Sequence, residues 1–110
     1  MKLAIIFLND VELLDEIMSA FLEIGVTGAT ICDSVGMGRI ISHDIPIFAG
    51  LSDAFVGSSP SNKIIFIATM DIMIKKIVQV LSDIAGDVKT PGGPKMLTIN
   101  IDQTFGIAEE

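Results

Sequence analysis

An α+β fold, with a four-stranded antiparallel sheet and two helices on one of its faces, is predicted for this chain by three observations. The layout repeats once: "KLAIIFLNDVELLDEIMSAFLEIG" (residues 2–25) aligns without a gap on "KIIFIATMDIMIKKIVQVLSDIAG" (residues 63–86). Each copy opens on an apolar strand, reaches an aspartate (Asp10, Asp71), continues at helical spacing and stops at a glycine (Gly25, Gly86). After each glycine the residues alternate between apolar and polar, the signature of a strand with two unlike faces. The order strand, helix, strand therefore occurs twice within a single domain, residues 1–110, a length that buries a modest core without disulfides or metal.

The first strand is "LAIIFL", closed by Asn9 and Asp10. Asp10 and Asp71 are the expected caps for the exposed amides at the two helix starts, and Gly25 and Gly86 suit the left-handed turn that follows a helix. In the first helix Val11, Leu14, Met18, Phe21 and Leu22 form the predicted core stripe, with Glu12, Asp15, Glu16 and Glu23 in water. Met73, Ile77, Val80, Leu81 and Ile84 form the stripe of the second. "GATICDSV" places Ala29, Ile31, Asp33 and Val35 on one face and Thr30, Cys32 and Ser34 on the other, while "KMLTINI" sets Leu97, Ile99 and Ile101 against Thr98 and Asn100. This is the split βαβ, or ferredoxin-like, plan. Its two helices cover one sheet face and leave the other open, a physical reason for self-association.

Composition points the same way. Half of the residues are hydrophobic and mean hydropathy is +0.65, more apolar surface than so small a domain hides within itself. A membrane span is not expected, because the longest clean apolar run, "LAIIFL", is far short of the roughly 20 residues a bilayer needs. Asn9, Asp10 and Glu12 also interrupt any signal-peptide pattern, so a cytoplasmic protein is expected. Cys32, the sole cysteine, forms no internal disulfide and reads as a buried thiol. Seven basic against fourteen acidic residues, net charge -7, oppose nucleic acid, and with no Trp or Tyr there are few platforms for stacked bases. His43 is the only histidine, no metal-ligand spacing occurs, and no catalytic residues are assigned.

Two stretches fall outside this regular layout. "GMGR" (residues 36–39) puts two glycines and the chain's only arginine at the end of the second strand. A bulge or turn is one reading; the other is bare backbone that lets a ligand approach. "IISHDIPIFAGLSDAFVGSSPSN" (residues 40–62) is a long connection for a compact domain. Its Ile45, Ile47, Phe48, Leu51 and Phe55 are too apolar for a freely solvated loop, so it packs on its own assembly or docks on a partner.

"EIGVTGATICDSVGMGR" (residues 23–39) resembles the nitrogen regulatory PII signal-transduction proteins: a helix end "IGV.G.T", a strand and "G.GR", in the same order and spacing. The two-half layout extends the resemblance over about the whole chain. It implies a homotrimer of ferredoxin-like subunits that holds a nucleotide, with adenine nucleotide as the candidate cofactor, or a small anion in intersubunit clefts. It also implies that the loop at residues 40–62 reports occupancy to a transporter or enzyme, in nitrogen metabolism in that family. By the same resemblance Thr30 meets the adenine, Gly36, Met37 and Gly38 pass close to the nucleotide, and Arg39 stands at the loop's base with a planar donor fork. "GGPKML" resembles the second nucleotide-binding turn, which makes Lys95 the phosphate lysine.

The chain departs from the family's pattern in three places. Pro94 replaces a glycine and removes a backbone donor. No arginine pair follows "TFGIAEE", and Ile40 replaces a glutamine that helps to bind magnesium and 2-oxoglutarate. The expectation is therefore a ligand with one or two phosphates, or a small carboxylate, bound at least as well as ATP. Two rivals stand beside this regulatory, non-enzymatic reading: a trimeric interaction module without a nucleotide site, and a small ferredoxin-like hydrolase. The hydrolase is disfavoured because "NDVELL" after the first strand offers no phosphate loop.

Overall fold

The computed structural model describes residues 1–37 and 62–107. Strand β1 (Lys2–Leu8) leads through a single 3-10 turn (Val11–Leu13) into helix α1 (Leu14–Glu23) and then strand β2 (Thr30–Ser34). Strand β3 (Asn62–Thr69), a second 3-10 turn (Asp71–Met73), helix α2 (Ile74–Ala85) and strand β4 (Lys95–Asn100) repeat the sequence of elements. The strands form one sheet in the order β2-β3-β1-β4, with every neighbouring pair antiparallel. The fold is α+β and compatible with a ferredoxin-like arrangement.

Register decides which residues share a face. Ala4 stands opposite Ile67 and Ile6 opposite Ile65, and these four with Leu8 are buried beneath the helices. From above, α1 contributes Ile17 and Phe21, and α2 contributes Ile77, Val80 and Leu81, to the same cluster. Each such Ile, Leu or Phe adds roughly 1.5–3 kcal/mol by leaving water. Leu14, Met18, Met73, Ile74 and Ile84 pack around the margin. Gly25 and Gly86 end the helices with φ of 105° and 96°, where an L side chain would be strained.

Several residues lie elsewhere than expected. Leu22 is 66% exposed and Ile17 takes its place in the core, because one residue turns a helix by about 100° and carries Leu22 past the face that Phe21 occupies. Asp10 does cap the first 3-10 turn, accepting from the Glu12 N–H at 3.2 Å. At the second turn the capping position belongs to Met70, and Asp71 sits inside the turn, 3.6 Å from the Met1 ammonium. Cys32 is exposed, since β2 is an edge strand and Cys32 stands on the face that no helix covers. Asn62 opens β3 and is no part of the connection before it.

That second face is the most unusual surface of the described chain. It carries Leu3, Ile5 and Phe7 of β1, Ile64, Phe66 and Ala68 of β3, and Leu97 and Ile99 of β4, set in cross-strand rows. Phe7, Leu97 and Ile99 are 37%, 45% and 50% exposed. No helix among the described residues is long and apolar enough to cross a membrane.

Candidate functional site

The end of α1 builds one wall of a cavity. Its last turn closes with Ile24 and Gly25 amides donating to the carbonyls of Ala20 and Leu22, and the Val26 N–H donates to Phe21 at 2.9 Å. Val26, 8% exposed, anchors the following segment in the core. Residues 27–29 then run beside β3 without joining the sheet, because the ladder between β2 and β3 begins only at the Thr30–Phe66 pair. On its other side β3 stays paired with β1 as far as Thr69. The space left between residues 25–30 and residues 66–70 is a cavity of about 670 Å³, with Thr30, Gly28, Met70, Ile72 and Ile107 among its lining. Its described lining holds backbone, hydroxyl and apolar groups, and the one charge it includes, the Met1 ammonium, is already paired with Asp71, which suits a flat, weakly polar ring better than a phosphate.

Gly36 and Met37 follow β2 at the opposite end of that strand from Thr30. Gly36 is half-buried, with the Asn62 amide nitrogen 3.6 Å from where a Cβ would stand, and Met37 is 68% exposed. The Asn62 side-chain oxygen is buried and has no hydrogen-bond partner among the described residues. Gly38, Arg39 and the loop residues Ile45, Ile47, Phe48, Leu51 and Phe55 lie outside the described residues, as does His43.

Lys95 stands far from all of these within one chain. It opens β4, the edge strand opposite β2, on a row that crosses the sheet through Phe7 and Ile64 to Cys32. Three strand spacings separate the two edges, about 14 Å. The Lys95 ammonium donates to the carbonyls of Val88 (2.5 Å) and Thr90 (3.2 Å), gathering the turn at residues 87–93. An ammonium has three donors, and two are engaged here. Asp87 shapes the same turn, its side chain accepting from the Lys89 N–H at 2.9 Å, and Asn9 donates to the Gly92 carbonyl at 3.3 Å. The structure thus brings Thr30 to a cavity and Lys95 to a wound turn, and it does not bring the two together in one protomer.

Sequence reasoning missed the cavity-lining Met70, Ile72 and Ile107, which lie in two separate segments, the turn after β3 and the chain after β4. It also missed Asn9 and Asp87, whose roles come from contacts around the turn. Among the described residues no group of three His, Cys, Asp or Glu side chains converges to hold a metal ion. No protein-family model matches the chain, and no curated protein matches it either.

Proposed function

We propose that the chain is a PII-like regulatory subunit: a cytoplasmic, non-enzymatic homotrimer that binds a nucleotide or small anion in clefts between subunits and acts on a transporter or enzyme through the loop at residues 40–62. The observation that carries this reading is the placement of its binding groups on opposite sheet edges. Thr30 and its cavity belong to the β2 side and Lys95 to the β4 side, so a site using both needs the β2 edge of one copy beside the β4 edge of the next. Repeated head to tail, that contact closes a ring. The apolar face with Phe7, Leu97 and Ile99 supplies the driving force, since burying it removes contiguous apolar surface from water.

In such a cleft the largely apolar cavity receives the ring of the ligand, and Lys95 of the neighbouring copy offers its remaining donor to the first or second phosphate. The resemblance adds Arg39 to that end. A second reading, an interaction trimer with no nucleotide site, is favoured by one observation: the Lys95 ammonium already satisfies two carbonyls of its own turn. Calorimetry with AMP, ADP and ATP, with and without magnesium, separates the two. The nucleotide reading expects AMP or ADP to bind at least as tightly as ATP without a magnesium requirement. It also expects Gly28→Val, whose Cβ meets nothing within 4 Å and whose methyls narrow the cavity wall, to fold normally and lose that binding. No heat with any of the three nucleotides would leave the interaction trimer as the better account.

A further inference from the structure

The segment after β4 holds the most exposed large hydrophobic side chain of the described chain. Phe105 is 85% exposed, while the residues that follow it, Gly106 and Ile107, line the 670 Å³ cavity. On its other side Phe105 lines a second, smaller cavity of about 420 Å³ with Met1 and residues 101–104. Met1 lines both spaces, and the chain passes from the smaller one at Phe105 to the larger one at Gly106 and Ile107. Gly106 has φ of 78°, a left-handed turn that directs the chain from Phe105 to the cavity wall.

We infer that Phe105 is a ring-stacking residue that closes over the planar heterocycle of a ligand seated between residues 25–30 and residues 66–70. The inference rests on the nucleotide reading above and names a further residue for that site. The chemistry of the lining supports it. The cavity has apolar walls from Phe66, Met70 and Ile72, and its one described charge, the Met1 ammonium, is paired with Asp71, so it accommodates a flat ring rather than the phosphates. A ring held there keeps one face toward the mouth, and an aromatic side chain is the group best matched to cover it. Phe105 is poised for this movement. At 85% exposure its side chain has little contact to give up, only two side-chain torsions need ordering, and covering the ligand takes its own apolar surface out of water.

The absence of Trp and Tyr from the chain makes the test direct, because Phe105→Trp introduces the sole strong fluorophore. The full chain is titrated with AMP, ADP and ribose 5-phosphate as wild type, Phe105→Ala and Phe105→Trp. Expected are a loss of about tenfold or more in AMP and ADP affinity in Phe105→Ala, the usual scale for one base stacked on one aromatic, and retention of affinity in Phe105→Trp. Indole emission should be quenched by AMP and ADP and left unchanged by ribose 5-phosphate, which has no ring to stack. The assembly mass and melting temperature of Phe105→Ala should equal those of the wild type. Equal nucleotide affinity in wild type and Phe105→Ala, with no quenching in Phe105→Trp, would overturn the stacking role and leave the nucleotide reading standing. A changed assembly mass in Phe105→Ala would overturn it in favour of a subunit contact. Absence of nucleotide binding to the wild type would remove both.

Discussion

Replacing Gly93 by alanine tests whether the turn at residues 87–93 is wound as tightly as its geometry indicates. A Cβ at this position would stand 2.6 Å from the Asp87 carbonyl oxygen and 3.0 Å from that of Thr90, both backbone atoms. Neither can step aside cheaply. The Asp87 carbonyl accepts from Thr90, and the Thr90 carbonyl accepts from Gly93, each at 2.9 Å. Lys95 holds the Thr90 carbonyl as well. Relieving the clash means opening the turn, which forfeits one hydrogen bond of about 1 kcal/mol and adds strain typical of overpacking, about 1–3 kcal/mol. A total of about 2–4 kcal/mol lowers the melting temperature of a domain this size by roughly 10–20 °C. Gly92→Asn is the control. Gly92 has φ of 80° with nothing within 4 Å of a Cβ, and asparagine is among the residues that tolerate such a backbone, so its cost should be smaller. Thermal unfolding of both variants by circular dichroism gives the answer, and an unchanged melting temperature for Gly93→Ala would refute the close approach.

Two further changes probe the site and the open face. Lys95→Met keeps the aliphatic stem and removes the ammonium, so it should lower the melting temperature by a few degrees, on the scale of about 1 kcal/mol for hydrogen bonds at an exposed position. The same variant should weaken AMP and ADP while leaving adenosine unaffected; equal losses for all three would deny Lys95 a phosphate. Cys32 should react with a thiol reagent more slowly in the assembled protein than in a chain held apart by Leu97→Glu, because both residues stand on the open face that the proposed assembly would cover. Equal rates would place Cys32 outside the interface.

Much of the fold was legible because its information is local. The paired segments at residues 2–25 and 63–86 fold into matching strand, turn and helix units, and Asp10, Gly25 and Gly86 act within a residue or two of where they stand. Periodicity identified the core stripe of α2, whose buried Ile77, Val80 and Leu81 follow helical spacing. It misplaced Leu22 because a stripe read from spacing has a direction and no neighbours, and only packing against the sheet selects Ile17. The motif around Thr30 singled out a residue that the structure places in the lining of a cavity. The cavity itself was not legible, because it lies beyond the Thr30–Phe66 pair where the β2–β3 ladder begins, a property of register that no single segment encodes. Lys95 was legible as a cation near a turn, while its hold on Val88 and Thr90 depends on how the chain folds back on itself.

The account stands most directly on the open sheet face, and the mass of the assembled protein tests it. Light scattering on the full chain at micromolar concentration should give about three times the chain mass of 11.7 kDa. Leu97→Glu, which sets a charge among Ile5, Phe66 and Ile99, should return it to a single folded chain, since an unpaired carboxylate is costly to bury in an apolar contact. A wild-type mass of one chain, stable on concentration, would contradict the claim that this face is covered by copies of the chain and that the binding site is completed between them.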